Sequence, residues 1–186
     1  MVRSFERRPL PDHLLNRVLE AARWAPSAGN TQGLELVVLR GAETKLFWEL
    51  VTTPEWRTTS RRRSLLGAPV VILPLASPEP YLLRYAEPDK ASSGLDREDN
   101  WPQPYWVIDT AFAVMAMLLA AVDSGLGAAF LGIWRNEAEL LKQLGIPLTF
   151  RPIGAIALGY PAPDVPSPSL KRHRRGVADY VHYGRW

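Results

Sequence analysis

The feature that most constrains this chain is an almost uninterrupted apolar segment from Trp106 to Ser124. It includes Met115, Leu119 and Val122, and it is followed by Gly125, a residue type that commonly ends a helix. A helix that is hydrophobic all round has to be covered on all its sides. In a chain of 186 residues, that cover comes either from a second subunit, which we favour, or from the other elements of a single domain.

The other predicted elements mix helices and strands without strict alternation. An amphipathic helix with Asp12 as its cap is predicted to end near Pro26, because the residue before a proline leaves helical geometry. A shorter helix is predicted at Glu137–Leu144. Runs of β-branched and apolar residues predict four strands, at Leu34–Leu39, Pro69–Ala76, Ala128–Ile133 and Ile153–Gly159. This order favours an α+β layered fold over a doubly wound one.

Two segments lie outside this pattern. Residues 77–104 are rich in proline, serine and charge and show no clear period, so we interpret them as an excursion that could form a lid. Residues 165–186 are expected to form an extended basic tail, whose aromatic residues could pack on a neighbouring subunit. The whole of residues 1–186 is expected to be one domain, because its length and its hydrophobic fraction of 47% suit a single core.

Composition excludes several kinds of chemistry. The chain has no cysteine, which excludes disulfides, thiol nucleophiles and thiolate metal ligands. The spacing of His13, His173 and His182 does not indicate a metal site. Neither a secretory signal nor an apolar run of about 20 residues is visible, so we expect a cytoplasmic protein that does not enter a membrane.

The positive charge is unevenly placed. The formal net charge is +3, and basic residues cluster near the N-terminus, at Arg61–Arg63 and in the tail. Such clusters are either solvated surface or the site of an anionic ligand. Nucleic-acid binding is a third hypothesis, but the chain lacks any recognisable reading module and we expect no nucleic-acid partner.

An ordered series of short motifs resembles the nitroreductase family. The loop Ala25–Gln32, which follows the first helix, is similar to that family's signature. Three further motifs recur in the family's order, namely Gly67-Ala68-Pro69, Gly125-Leu126-Gly127 and the segment from Leu144 to Pro161. The resemblance covers most of the chain except residues 77–104.

The resemblance implies an α+β flavoprotein with a mostly antiparallel central sheet flanked by helices. It implies a homodimer whose two FMN sites lie at the interface and are built from both subunits. The implied reaction passes a hydride from NADPH or NADH through FMN to a small electron-poor acceptor, such as a nitroaromatic or a quinone. Because the flavin carries the chemistry, no catalytic side chain and no metal are expected.

The same resemblance assigns three groups of site residues. FMN carries a phosphate that guanidinium groups bind well, and this role falls to Arg3, Arg172 and Arg174. The loop that reaches the flavin of the other subunit corresponds to Pro26, Ser27, Ala28 and Asn30. The strand end against the isoalloxazine ring corresponds to Phe130, Leu131, Gly132 and Ile133, with the N–H of Gly132 approaching N5. The alternatives are a solvated surface, an ordinary turn and an ordinary core strand, respectively.

Two departures from the family pattern leave a second hypothesis open. The family usually has an Arg-Arg-Ser type segment just before the position of Arg3, where this sequence starts at Met1. It also commonly follows the glutamine of the loop with proline and an aromatic residue, whereas Gly33 and Leu34 stand here. The alternative function is therefore a relative that binds or consumes flavin without turnover of NADH or NADPH.

Overall fold

The computed structural model describes residues 1–186. The helices are α1 (Asp12–Arg23), α2 (Ala42–Val51), α3 (Pro54–Thr59), α4 (Glu79–Tyr85), α5 (Tyr105–Asp123) and α6 (Glu137–Gln143). The strands are β1 (Glu35–Arg40), β2 (Val70–Ala76), β3 (Gly127–Leu131), β4 (Arg151–Pro152) and β5 (Ala155–Gly159). Helices and strands therefore follow one another without strict alternation, as the sequence predicts.

A single five-stranded sheet forms the centre of the fold. Its main order is β1-β2-β5-β3, and β4 pairs with β2 beside this path. Every strand pair is antiparallel. All seven residues of β2 are buried, because this strand lies inside the sheet and is covered on both faces. The predicted α+β fold with a mostly antiparallel sheet is confirmed.

Helices cover both faces of the sheet, and the alternation of side chains along β2 divides the core between them. Val71, Leu73 and Leu75 belong to a cluster with Phe47 of α2 and Leu140 of α6. The intervening residues of β2 point to the opposite face, as the period of two requires. There they join a second cluster, which includes Val70, Ile72, Val18 of α1 and Met117 of α5.

The single chain covers only one face of α5, so the alternative in which the chain's own elements cover this helix on all sides is wrong. Its buried face, with Ala113, Met117 and Ala121, packs toward the sheet and α1. Its opposite face exposes apolar side chains, because no element of the same chain lies over it. This exposed α5 stripe consists of Phe112 (49% exposed), Met115 (54%), Leu119 (59%) and Val122 (70%). The elements of the single chain therefore do not cover this face of α5.

By length and composition α5 could span a membrane, but its packed face is that of a core helix.

Several local predictions need correction. Asp12 is the first residue of α1 and not its cap, because Pro11 occupies the cap position and the Asp12 carboxylate pairs with Arg40 at 2.7 Å. The strand predicted to reach Ile133 ends at Leu131. Helices α2, α3 and α4 were not predicted, and α4 lies inside the excursion. The tail is exposed over nearly all of residues 165–186.

Candidate functional site

The loop after α1 has an unusual backbone. Gly29, Asn30 and Gln32 all have positive φ values, of 61°, 54° and 55°. Glycine and asparagine tolerate this region, whereas a glutamine there is uncommon and has to be held by its surroundings. The hydroxyl of Ser27 supplies one restraint, because it accepts the Gln32 N–H at 2.9 Å. The backbone therefore turns tightly between Ser27 and Gly33.

A buried carboxylate anchors this loop to α5. Asp109 lies in the first turns of the helix and is only 6% exposed. Its Oδ2 accepts the Ala28 N–H at 2.8 Å and the Tyr81 hydroxyl at 2.9 Å. These two donors satisfy a charge that would otherwise be costly to bury. Burial raises the pKa of Tyr81 far above its ordinary value, and the hydrogen bond to Asp109 raises it further.

Helix α4 of the excursion holds the same loop from outside. The Nε of Arg84 donates to the carbonyl of Gly29 at 3.0 Å, and its terminal nitrogens bind the carboxylate of Asp89 at 2.7 and 2.8 Å. The hydrogen bond from Arg84 lowers the pKa of Asp89. A Cβ on Gly33 would stand 2.7 Å from the ring of Tyr81, so only glycine allows this close approach.

An aromatic cluster ties the rest of the excursion to α5. Trp101 contacts Tyr85 with ring centroids 4.8 Å apart, and it lies 5.6 Å from Tyr105 and 6.0 Å from both Tyr81 and Trp106. Its indole N–H donates to the carbonyl of Leu95 at 2.8 Å. Residues 77–104 are therefore packed against the predicted loop and the start of α5.

The loop borders a cavity of about 400 Å³ between α1, β1 and α5. Pro26, Ser27 and Gln32 line one part of this loop cavity, and Tyr81 and Asp109 line another. Of the other predicted loop residues, Ala28 is fixed by its bond to Asp109, and Asn30 is exposed to solvent.

A separate basic cavity contains Arg3. Its volume is about 130 Å³, and it is lined by Arg3, Arg61, Arg62 and residues 164–168. The N-terminal residues reach it by running along the sheet, since Val2 donates to the carbonyl of Ala128 at 3.0 Å and Phe5 bridges to Pro161. The predicted Arg172 and Arg174 follow this lining in the exposed tail and do not line the cavity.

The end of β3 borders a third cavity, of about 280 Å³. Leu131 and Gly132 line it together with the indoles of Trp48, Trp56 and Trp134. Arg62 lines both this aromatic cavity and the basic cavity, so the two adjoin. The Nε1 of Trp48 is buried and has no hydrogen-bond partner.

The other two predicted strand residues lie beside this site. Phe130 and Ile133 are half-buried and pack on opposite core clusters. The structure therefore brings Arg3 and the end of β3 to adjoining cavities. It keeps Pro26 and Ser27 in the loop cavity, which shares no lining residue with the other two.

The sequence analysis missed residues that the structure places in these regions. The sequence offers a clue to the role of Asp109, because this is the one acidic residue between Tyr105 and Val122 in a helix that is otherwise apolar. The sequence offers no such clue for Tyr81, since its hydrogen-bond partner Asp109 is 28 residues away along the chain. Arg61 and Arg62 were recognised as part of a basic cluster, but nothing in the sequence places them next to Arg3.

Comparisons with known proteins agree with this fold. Residues 1–160 match the sequence model of the nitroreductase family. A protein of Archaeoglobus fulgidus, provisionally named NADH dehydrogenase/NAD(P)H nitroreductase, is 27% identical over 188 residues, covering 100% of this chain and 92% of the relative. The nitroreductase CinD of Lactococcus lactis, solved with nicotinic acid, has a TM-score of 0.75 at 17% identity, covering 100% of this chain and 95% of that chain.

A further solved structure shares the fold. The FMN-dependent nitroreductase of Clostridium difficile R20291 has a TM-score of 0.66 at 18% identity, covering 100% of this chain and 94% of that chain. The α+β fold, together with the match over residues 1–160, defines an enzyme of the oxidoreductase class. The chain belongs to the nitroreductase family.

Proposed function

We propose that this chain is an FMN-dependent oxidoreductase that acts as a homodimer and transfers a hydride from NADH or NADPH to a small electron-poor acceptor. The main support for this proposal is that the predicted flavin-binding residues lie in two separate regions of the single chain. Arg3 and the end of β3 lie at two adjoining cavities, whereas Pro26 and Ser27 lie at the loop cavity. A cofactor bound by both groups needs two copies of the chain.

The exposed α5 stripe supports the same assembly. Its four apolar side chains lie on one side of the helix whose first turns hold Asp109 and, through it, the loop. Contiguous exposed apolar surface of this kind marks a protein interface. We therefore propose that α5 packs against a second copy and that each loop reaches the flavin of the partner subunit.

The residues around the two adjoining cavities fit the chemistry of FMN. A phosphate requires positive groups that can hold its oxygens, and the basic cavity offers three guanidinium groups. A flat conjugated ring requires apolar and aromatic walls, and the aromatic cavity offers Leu131, Gly132 and three indoles. The unpartnered N–H of Trp48 beside that cavity also fits a ligand that carries carbonyl oxygens.

Each part of the chain then has a role in binding or orientation. FMN, when bound, supplies the hydride chemistry at N5. Gly132 presents its backbone N–H at the strand end, and Trp48 and Trp56 exclude water from the ring. Ser27 and Asn30 supply hydroxyl and amide groups to the partner's flavin, while Asp109 and Tyr81 hold the loop that carries them. Arg172 and Arg174 approach the phosphate from the tail.

The first experiment is the visible spectrum of the purified protein with FMN added, followed by anaerobic addition of NADH and then NADPH. We expect a protein-bound flavin spectrum that either nucleotide bleaches and that a nitroaromatic or a quinone restores. Bound flavin that neither nucleotide bleaches would instead support the second hypothesis, a flavin-binding relative without turnover. Absence of flavin binding would contradict both.

A further inference from the structure

Three arginines from distant parts of the sequence line one small cavity without forming an ion pair. Arg3 comes from the N-terminal segment, and Arg61 and Arg62 come from the connection between α3 and β2. None of the three pairs with a carboxylate, although five other arginines of the chain do. Those five are Arg17, Arg23, Arg40, Arg84 and Arg151. Unpaired like charges around a cavity repel one another and create a positive field that favours an anion.

The local backbone determines which arginines face this cavity. Helix α3 ends at Thr59, and Ser60 begins a tight turn. The hydroxyl of Ser60 accepts the Arg62 N–H at 3.1 Å, and its carbonyl accepts the Arg63 N–H at 3.1 Å. The side chain of Arg63 folds back to the same carbonyl at 3.3 Å, whereas the side chains of Arg61 and Arg62 line the cavity. Arg63 is therefore a neighbour of equal charge that lies outside the site.

The size and charge of the basic cavity suit a phosphate group. Its volume is about 130 Å³, the smallest of the three cavities described above. Besides the three guanidinium groups, Asp164 lines it, and its carboxylate accepts the Arg3 N–H at 3.3 Å. Three positive groups and one negative group leave a net charge that matches a phosphate dianion.

The basic cavity adjoins the aromatic cavity at the end of β3, so one ligand can extend from one cavity into the other. Arg62 also lines the aromatic cavity, where Leu131 and Gly132 lie. A ligand with a phosphate at one end and a flat ring at the other fits both cavities at once. The phosphates of FMN and of NADPH share this chemistry, and the position of Arg62 next to the strand end favours FMN.

We propose that Arg61 and Arg62 bind the phosphate of FMN together with Arg3. This proposal rests on the function proposed above. It assigns to the turn after α3 a part of the phosphate site that the sequence alone places only in the N-terminal segment and the tail. Both arginines touch the cofactor's phosphate and take no part in the hydride transfer.

The test compares the affinity of the apoprotein for FMN and for riboflavin, which lacks the phosphate, by titrating flavin fluorescence. In the Arg61→Ala/Arg62→Ala variant, we expect FMN to bind roughly tenfold more weakly for each arginine lost, because each makes charge-assisted bonds. Riboflavin affinity should stay within about twofold of the wild-type value. The Arg63→Ala/Arg97→Ala variant removes the same charge from exposed positions outside the cavity and should bind both flavins normally.

A second variant distinguishes the loss of phosphate binding from misfolding. Arg61→Lys/Arg62→Lys keeps the charge but loses the planar fork that binds two oxygens at once, so FMN affinity should fall to an intermediate value. Equal loss of FMN and riboflavin would overturn the proposal, as would unchanged FMN affinity, which is the result expected if these arginines serve the phosphate of NADPH. A wild-type protein that binds neither flavin would overturn the proposed function as well.

Discussion

Asp109 determines, at the scale of single residues, where the loop after α1 lies. Its carboxylate accepts a backbone N–H from Ala28 and a hydroxyl from Tyr81 through the same oxygen. Loop, excursion and α5 therefore meet at one buried atom. A resemblance to a family can identify the loop, but only the folded chain shows that an acidic residue in an apolar helix holds it.

The Tyr81→Phe variant removes one of the two donors to this carboxylate without changing the shape of the ring. We expect the free energy of unfolding to fall by about 1 to 3 kcal/mol at pH 8, because a buried carboxylate loses one of its two hydrogen-bond donors. Urea unfolding measures the change. A matched control is Tyr183→Phe in the exposed tail, which should leave the urea midpoint unaltered.

The same pair of proteins gives a test at alkaline pH. The pKa of Tyr81 is raised in the folded protein, so above pH ~10 the unfolded chain releases this proton while the folded chain keeps it. The contribution of protonated Tyr81 to the free energy of unfolding is therefore complete below pH ~10. Above that pH it falls by about 1.4 kcal/mol per pH unit. The stability of the wild type should decline faster than that of Tyr81→Phe between pH 9 and about 11, and parallel curves would contradict this assignment.

Most of the elements that could be predicted are long or strongly apolar, although α6, of seven residues, was predicted and α2, of ten residues, was not. Helix α1, helix α5 and the buried strands carry clear patterns in the sequence. Helices α3 and α4 span only six and seven residues, and helices this short depend on tertiary contacts for stability. The excursion shows no period because its order comes from Trp101 and its aromatic neighbours, which only the folded chain brings together.

The Leu119→Arg variant tests the role of the exposed α5 stripe. Leu119 lies within that stripe and is 59% exposed in the single chain, so the monomer should tolerate the change. A second copy packed on the same face would have to bury the charge, which is costly. We expect sedimentation to show a dimer for the wild type and a monomer for the variant.

The Leu148→Arg variant is the matched control for this experiment. Leu148 is 83% exposed and lies before β4, outside the exposed α5 stripe, so this variant should remain a dimer. A wild-type protein that sediments as a monomer, or a Leu119→Arg variant that remains a dimer, would contradict the proposed interface.

The whole molecule consists of a packed body and a tail that contributes little to it. Nearly all residues from 165 to 186 are exposed, and they include Val165, Leu170, Tyr183 and Trp186, which are all more than 70% exposed. Apolar side chains in an extended tail have no core of their own to join. They fit a segment that is completed by another subunit.

Deletion of residues 165–186 tests this division. We expect the shortened chain to keep a cooperative thermal transition close to that of the wild type, measured by circular dichroism without flavin. Flavin binding should weaken, because residues 165–168, which line the basic cavity, leave with the tail together with Arg172 and Arg174. A shortened chain that is unfolded would show that the tail is part of the core.

The predicted site residues could be identified from the sequence, but their grouping could not. The ordered motifs give Arg3, the loop and the strand end as separate pieces. Their distances depend on how the N-terminal segment runs beside Ala128 and how α5 presents Asp109. Sequence spacing carries no information about either contact.

The close approach of Tyr81 to Gly33 has a consequence for how such chains can diverge. The ring occupies the space that any side chain at position 33 would need. A related protein with a larger residue at position 33 needs a smaller or displaced side chain at position 81 in α4. A related protein without the Tyr81 ring has a cavity that a side chain at position 33 can fill. Substitutions at positions 33 and 81 are therefore coupled. If position 33 changes first, the intermediate has a steric clash, and if position 81 changes first, it has a cavity.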